Sequence, residues 1–270
     1  MDSPSIDSPV TQLGADLLTV SGISKSFGGV AAVQNCTLSI SPNTVTAIIG
    51  PNGAGKSTLM NLIGGLYHPD SGKIIFNNQD ITILPHFKHA SAGLIRTFQI
   101  ARELTNLTVF ENVVLAGQSD ALENPFAAFL KPGFIRREEQ RIAKRAQDIL
   151  KKLGLFRLAD DLAGSLSGGQ KKLLELARAL MLDPKLILLD EPATGVSPPM
   201  VRELARTILS LRDEGLTIGL IEHDMELVEE LSDQVHVMAE GRVLISGTFN
   251  EVVSDKRVVD AYLGNGATHE

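Results

Sequence analysis

Residues 44–58 of the chain read TVTAIIGPNGAGKST, and residues 59–63 read LMNLI. The first six residues form an apolar, β-branched run that predicts a buried strand. A glycine-rich turn follows, and residues 59–63 are predicted to lie at the start of a helix. Strand, G-x-x-x-x-G-K-[ST] and helix, in this order, are typical of a phosphate-binding loop, or P-loop.

The groups of this loop suit the phosphates of a nucleotide. Glycine tolerates positive φ, so Gly50, Gly53 and Gly55 allow consecutive backbone N–H groups to point into one concavity. The helix N-terminus adds partial positive charge there. Lys56 supplies a point charge for the β- and γ-phosphates, and the hydroxyl of Ser57 is placed to reach Mg²⁺. The loop therefore predicts binding of a nucleoside triphosphate by Gly50, Asn52, Gly53, Ala54, Gly55, Lys56, Ser57 and Thr58.

Composition and charge restrict the class of protein. The 270 residues are 43% hydrophobic, which is enough for a sizeable core, and the net charge of −7 leads us to expect no nucleic-acid partner. Cys36 is the only cysteine, so no internal disulfide can form, which fits a reducing cytoplasm. Residues 1–16 lack the pattern of a secretory signal and are expected to be a disordered tail. No apolar run approaches the roughly 20 residues that cross a bilayer.

Strand and helix patterns divide the chain into three regions. Residues 17–83 alternate short strands and turns around the P-loop, residues 84–164 are predicted to be mostly helical, and residues 165–270 return to an α/β pattern. In the last region, the continuous apolar runs 185–189 and 217–221 predict strands that are buried on both faces of a parallel sheet. Because ligands of open α/β sheets gather at the carboxyl ends of strands, we expect the residues after these runs to meet the P-loop in one crevice.

The residues after those two runs are candidates for the chemistry. Asp190 follows the first run and is placed to hold Mg²⁺, and Glu191 beside it is a candidate general base for the attacking water. His223 stands after the second run and is a candidate for a hydrogen bond to the γ-phosphate. In isolation, these residues would equally suit an exposed acidic turn and a surface histidine. Their positions relative to the P-loop favour the functional interpretation.

Residues 166–170 read LSGGQ and predict a second anion site. Ser167 is predicted to cap the N-terminus of a helix. The apolar face of that helix would be formed by Leu173, Leu176, Ala177 and Leu180. Two glycines and a serine at a helix start suit a phosphate, although a plain capped helix has the same pattern. A second phosphate-type site so far along the chain from the P-loop indicates a site that a second subunit completes.

With LSGGQ, the chain resembles a known family. This pentapeptide is the signature sequence of ATP-binding cassette (ABC) ATPases, and the P-loop, the acidic pair and the histidine stand in that family's order and spacing over residues 17–264. The resemblance implies an α/β fold of the P-loop NTPase class. Its parts would be a RecA-like core, an antiparallel β subdomain and an inserted α-helical subdomain, which with the Q-loop covers about residues 84–164. Residues 1–16 and 265–270 would be tails outside this ATPase domain.

The resemblance also implies roles for single residues, with ATP and Mg²⁺ as ligands. In that family two cassettes pack head to tail, and the signature motif of one covers the γ-phosphate that the P-loop of the other holds. The residues of the signature motif here are Ser167, Gly168, Gly169 and Gln170. Gln99 matches the Q-loop glutamine that contacts Mg²⁺ and couples to the transmembrane partner, and Phe27 matches the aromatic that stacks on adenine. Asp190, Glu191 and His223 match the Walker B aspartate, the catalytic glutamate and the switch histidine.

Two positions depart from the pattern of many cassettes. Phe27 stands where many have tyrosine, so it can stack through its face but offers no hydroxyl. Ser197 stands where many have the aspartate that ends the D-loop, so it can form a hydrogen bond across a dimer but carries no charge. The second departure bears on how tightly the two sites of a dimer are coupled.

A narrower resemblance concerns the transported solute. The segments 94–99 (LIRTFQ), 107–113 (LTVFENV), 220–225 (LIEHDM) and 261–264 (AYLG) are similar to the cassettes of branched-chain amino acid importers. The extra stretch 117–137 matches the longer of the two cassettes that such importers use. The resemblance then implies a transport ATPase for branched-chain or other neutral amino acids.

The implied partners are those of an importer. They are a second, shorter cassette, two transmembrane permease subunits and, indirectly, a periplasmic or extracellular solute-binding protein. The chain would lie peripherally on the cytoplasmic face of the inner or plasma membrane. Importers of urea or amides and lipid exporters have similar cassettes. The alternatives that the chain serves an importer of urea or amides, or a lipid exporter, therefore remain. A soluble ABC switch on ribosomes or DNA is the remaining alternative, although it usually has two cassettes per chain or long coiled-coil insertions.

The strongest local charge lies in the predicted helical region. Seven basic residues stand close together, at Arg136, Arg137, Arg141, Lys144, Arg145, Lys151 and Lys152. A solvated helix face explains this pattern, and a contact with lipid headgroups or with a coupling loop of a transmembrane subunit is the alternative.

Overall fold

The computed structural model describes residues 16–97, 104–117 and 132–264. Its strands are β1 (Leu18–Phe27), β2 (Val30–Ile40), β3 (Val45–Ile49), β4 (Ser71–Phe76), β5 (Gln79–Asp80), β6 (Leu94–Arg96), β7 (Leu186–Asp190), β8 (Thr217–Ile221), β9 (Gln234–Ala239) and β10 (Arg242–Gly247). Its α-helices are α1 (Lys56–Ile63), α2 (His86–Ala92), α3 (Val109–Ala116), α4 (Pro132–Lys152), α5 (Gly168–Leu180), α6 (Pro198–Asp213), α7 (Met225–Leu231), α8 (Phe249–Val253) and α9 (Lys256–Gly264).

Within these ranges the strands form two sheets. The first is antiparallel, in the order β2-β1-β4-β5. The second has the order β10-β9-β3-β8-β7-β6, in which β9, β3, β8, β7 and β6 are parallel and β10 is an antiparallel edge. The predicted α/β fold, with a parallel core sheet and a separate antiparallel sheet, is confirmed.

The three central strands of the parallel sheet separate two hydrophobic cores. All residues of β3, β7 and β8 are buried. Alternate side chains of a strand point to opposite faces, so in β7 Ile187 and Leu189 enter one core while Leu186 and Leu188 enter the other. The first core is shared with α3 to α7, and the second with α1 and the antiparallel sheet. Continuous apolar runs are therefore needed in these strands, which is why the sequence signal was clear there.

The helical region packs through α3, α4 and α5. The helical prediction is confirmed for α4, in which Ile142, Ala146 and Leu150 are buried at helical spacing. One part of this region differs from the prediction, because residues 94–96 form strand β6 beside β7. Gly93 ends α2 at a φ of 98° and allows the chain to turn into the sheet. A strand of three residues is too short to show a period in the sequence.

The basic stretch of α4 is largely paired within the chain. Arg141 contacts Glu138 at 2.6 Å, Lys144 contacts Asp148 at 3.6 Å, and Arg145 forms a pair with Asp183. Lys152 forms a further pair with Glu214 on the turn after α6. These pairs favour the interpretation as a solvated helix face. Among the helices that the structure describes, we find none with the length and apolar character needed to cross a membrane.

Candidate nucleotide site

The P-loop connects β3 to α1 and requires glycine at two positions for steric reasons. Gly50 has a φ of 148°, and a Cβ there would lie 2.0 Å from the carbonyl oxygen of Met238. Gly55 has a φ of 95°, and a Cβ there would lie 2.4 Å from the carbonyl oxygen of Ala32. Gly53 has a φ of 78° but open space around it. The loop thus combines left-handed backbone with close approach to two neighbouring strands.

Lys56 is the first residue of α1, and its side chain folds back over the loop. Its Nζ donates to the carbonyl oxygen of Gly50 at 2.7 Å and to that of Pro51 at 2.9 Å. Burial lowers the pKa of Lys56, and the charges of Glu191 and Asp190 oppose that effect. The ammonium group is therefore held at the loop, where it is available to phosphate oxygens.

The sheet order places the candidate catalytic residues beside this loop. Because β3, β8 and β7 are neighbours and parallel, their carboxyl ends lie at one edge of the sheet. A cavity of about 330 Å³ opens there. It is lined by Val30, Ala31, Ala32, Asn52, Gly53, Ala54, Gly55, Lys56, Ser57, Thr58, Glu191 and His223. As expected, the residues after the two apolar runs meet the P-loop in one crevice.

Glu191 and His223 are in direct contact at this cavity. Nε2 of His223 lies 2.7 Å from Oε1 of Glu191, and the exposed fractions of the two side chains are 44% and 17%. Glu191 has a φ of 47°, in the left-handed region that non-glycine residues rarely adopt. Its backbone N–H donates to the carbonyl oxygen of Ile221 at 3.0 Å, which ties this conformation to the end of β8. Backbone strain of this kind clusters at functional sites.

One carboxylate oxygen of Asp190 has no hydrogen-bond partner among the described residues. Its side chain is 4% exposed, and Oδ2 accepts a hydrogen bond from Arg96 at 2.9 Å. Oδ1 is buried and has no hydrogen-bond partner within the described ranges. The hydroxyl-bearing Ser57 lines the nearby cavity. A carboxylate oxygen without a hydrogen-bond partner and a hydroxyl at the P-loop are groups that fit Mg²⁺, which is typically bound by one or two carboxylates together with substrate phosphates.

Ser167 of the signature motif caps α5, as predicted. The backbone N–H of Ser167 donates to Oε1 of Gln170 at 2.9 Å, and the N–H of Gln170 donates to Oγ of Ser167 at 3.4 Å. Ser167 and Gly168 are exposed. A Cβ on Gly169 would lie 2.1 Å from Cγ of Met200, so the start of α5 packs closely on α6. Of the described residues that line the P-loop cavity, none belongs to the signature motif.

The structure does not place Phe27 or Gln99, two other predicted site residues, at the cavity. Phe27 ends β1, is 42% exposed and contacts the ring of Tyr67 edge-on at 5.2 Å between centroids. Phe27 does not itself line the cavity, although Val30 to Ala32, just after it, do. Gln99 and most of the 117–137 stretch lie outside the described residues.

Three residues of the site were missed by the sequence reasoning. Arg96 holds Asp190, and Oγ1 of Thr194 donates to Oε2 of Glu191 at 3.3 Å. Glu222 is buried beside His223 and accepts a hydrogen bond from the backbone of Ala193 at 2.8 Å. A charged residue directly after a continuous apolar strand was the available signal for Glu222. Arg96 and Thr194 had no comparable signal.

Comparison with known proteins identifies the family. The family model described as "ABC transporter" matches residues 33–194. The chain is 38% identical over 249 residues to the high-affinity branched-chain amino acid transport ATP-binding protein LivG of Escherichia coli (strain K12), covering 92% of this chain and 98% of LivG. The same values hold for the high-affinity branched-chain amino acid transport ATP-binding protein BraF of Pseudomonas aeruginosa.

A solved structure gives the same answer. The ADP conformation of MJ1267, an ATP-binding cassette of an ABC transporter, superposes with a TM-score of 0.80 at 38% sequence identity, covering 93% of this chain and 99% of that one. Motifs, fold and relatives agree, and the chain belongs to the ABC transporter family, as one of its ATP-binding cassettes.

Proposed function

We propose that this chain is the ATP-hydrolysing subunit of a membrane importer for branched-chain or other neutral amino acids. The observation that carries the hydrolytic part is the 2.7 Å contact between Glu191 and His223 at the P-loop cavity. The solute class is supported by the names of relatives that align over nearly their whole length.

The P-loop cavity would hold the phosphates of ATP. Backbone N–H groups of the loop and the N-terminus of α1 would face the phosphates there. Lys56 would exchange its bonds to the carbonyl oxygens of Gly50 and Pro51 for bonds to the β- and γ-phosphates. Phe27 is exposed at the end of β1 and would stack on adenine through one face of its ring.

Mg²⁺ would be held by Ser57 and Asp190, with Gln99 as a third residue by resemblance. The ion supplies charge neutralisation of the β- and γ-phosphate oxygens when it is bound. Among the described residues there is no group of three or more His, Cys, Asp or Glu side chains that could hold a metal ion. In the proposed site, phosphates would provide many of the oxygens around Mg²⁺.

Hydrolysis would depend on Glu191 and His223. The Glu191 carboxylate accepts a proton from water as the water oxygen attacks the γ-phosphorus, and the bond to the β-phosphate oxygen breaks to release ADP and phosphate. His223 lines the same cavity, from which its ring would reach the γ-phosphate. Its contact with Glu191 orients the base toward that position.

A second cassette would complete the site. Because Ser167 and Gly168 are exposed and do not line this chain's own cavity, the signature motif would be available to the γ-phosphate of a partner. The proposed partner is a shorter paralogous cassette in a head-to-tail dimer. Two permease subunits would bind the pair at the cytoplasmic face of the membrane, and a solute-binding protein would act on the permeases from the other side. The ATPase domain would span residues 17–264, between tails at 1–16 and 265–270.

Transport would follow from two states of the cassette pair. ATP closes the pair, the segment around Gln99 moves the coupling helices of the permeases, and hydrolysis resets them. ATP shifts this equilibrium only if its contacts differ between the open and closed states. The signature motif of the partner provides that difference, since it contacts the γ-phosphate only in the closed pair.

Uptake by cells that lack this chain tests the proposal. We expect uptake of labelled leucine and other neutral amino acids to fall, to return with the wild-type chain, and to stay low with the Lys56→Ala variant as the matched control. If these amino acids entered at normal rates while urea or an amide did not, the solute assignment would be wrong and the ATPase assignment would stand. Normal uptake of neutral amino acids, urea and amides, together with impaired lipid export, would favour a lipid exporter.

A further inference from the structure

Glu222 is a buried carboxylate that the proposed reaction does not use. It follows Ile221 at the end of β8, and its side chain is 2% exposed. Oε1 accepts the backbone N–H of Ala193 at 2.8 Å, and Oε2 accepts that of His223 at 3.1 Å. The backbone of Asp224 donates as well. One side chain thus binds the backbone of two separate turns.

These two turns carry the catalytic pair. The turn after β7 contains Glu191 and Ala193, and the turn after β8 contains His223. The bond from the N–H of Glu191 to Ile221 at the end of β8, the Glu191–His223 contact and the side chain of Glu222 all link these two segments. Next to them, a cavity of about 750 Å³ opens between the same two turns and the starts of α6 and α7. Glu222 lines this cavity, and its carboxylate joins the two turns there through hydrogen bonds to the backbone of Ala193 and His223.

Hydrogen bonds to the carboxylates of Glu222 and Asp224 restrict the backbone around His223. Burial raises the pKa of Glu222, the three backbone N–H groups lower it, and the charge of Asp224 raises it. Oδ1 of Asp224 accepts the backbone N–H groups of Glu226 and Leu227 at 3.0 and 3.2 Å, which caps α7. The backbone of His223 is consequently fixed on both sides by carboxylates, while its ring contacts Glu191.

We propose that Glu222 is a positioning residue for ATP hydrolysis, which holds the turns of Ala193 and His223 together so that the Glu191–His223 contact forms. This inference rests on the proposed function. Glu222 is not among the described residues that line the P-loop cavity, so it acts through the backbone and not on the nucleotide.

The Glu222→Gln variant tests the inference with minimal change of shape. An amide has one oxygen in place of two, so either Ala193 or His223 loses its acceptor. We expect kcat for ATP hydrolysis to fall about 10- to 100-fold, as for a small misplacement of catalytic groups, while the Kd for ATP stays within about threefold. The matched control is Glu251→Gln in α8, which removes a carboxylate that accepts the backbone N–H of the N-cap residue Thr248, and it should leave kcat unchanged. An unchanged kcat in Glu222→Gln would overturn the inference.

A double-mutant cycle with His223→Ala separates the possible failures. If Glu222 acts through the Glu191–His223 contact, adding Glu222→Gln to His223→Ala should lower kcat by less than about twofold further. A full additional loss in that background would show that Glu222 does not act through this contact. If His223→Ala alone left kcat unchanged, the proposed role of His223 would be wrong, which is a failure of the proposed function. A parallel loss of ATP affinity in Glu222→Gln would indicate a merely structural role and would also overturn the inference.

Discussion

The guanidinium group of Arg96 donates to Oδ2 of Asp190 at 2.9 Å, and the exposed fractions of these side chains are 12% and 4%. Arg96 also bonds to Asn61 on α1, so it connects β6, the P-loop helix and the end of β7. Removing one partner of a buried ion pair leaves an uncompensated charge. We expect Arg96→Met to lower the free energy of unfolding by about 3–5 kcal/mol, measured by chemical denaturation.

The control for this variant is Arg257→Met. Arg257 pairs with Asp255 at 2.8 Å, but its side chain is well exposed, and exposed pairs contribute little. The free energy of unfolding should stay close to that of the wild type. Equal effects of the two substitutions would contradict the importance of the Arg96–Asp190 pair.

Gly50 and Gly53 allow a matched test of the P-loop. Gly50→Ala places a Cβ against the carbonyl oxygen of Met238, so the loop must move, and we expect ATP binding to be lost in calorimetry. Gly53→Ala meets no atom and carries only the strain of a left-handed non-glycine residue, about 1–2 kcal/mol. It should retain ATP binding. Loss of binding in both variants, or in neither, would refute the steric account.

Alkylation of the Cys36 thiol distinguishes the folded protein from the unfolded one. Its side chain is fully buried in β2, and burial raises the pKa of the thiol from 9.0 to about 11. Because the thiolate is the reactive form, alkylation at pH 8 should be at least roughly 100-fold slower in the folded protein than in denaturant. The raised pKa means that the native rate should climb only as the pH approaches about 11. Fast labelling of the native protein at pH 8 would contradict the described packing of β2.

Ser167→Arg tests the proposed site between two cassettes. An arginine at the exposed start of α5 would obstruct the γ-phosphate of a partner, but position 167 does not line this chain's own P-loop cavity. We expect ATP hydrolysis by the cassette pair to stop, while ATP binding to the isolated chain, measured by calorimetry, stays within about threefold of the wild type. Equal loss of binding and hydrolysis would count against a shared site.

Much of the fold could be predicted because its central strands are buried on both faces. The runs 186–189 and 218–221 must then be continuously apolar, and they are also followed at once by polar residues. The meeting of Glu191 and His223 with the P-loop followed from the rule for strand ends. Strand β6 was not predicted, because three residues are too few to show the alternating pattern of a strand.

Contacts between residues that are far apart in the sequence could not be predicted from local sequence patterns. Arg96 and Asp190 are 94 positions apart, and Ala193 and Glu222 are 29 apart, so local pattern contains no trace of either pair. The left-handed backbone of Glu191 is equally invisible, because it is imposed by the bond to Ile221. Such features depend on register within the parallel sheet, which only the structure provides.

ATP turnover by the Glu191→Gln variant is the most direct test of the central claim, that Glu191 serves as the base for hydrolysis at the P-loop cavity. A positioned general base contributes roughly 10²–10⁴ in rate, so phosphate release should fall by that factor while ATP affinity is kept. Glu214→Gln, at an exposed surface position, should leave turnover unchanged. Phosphate release by Glu191→Gln within about threefold of the wild-type rate, with ATP still bound, would contradict the account.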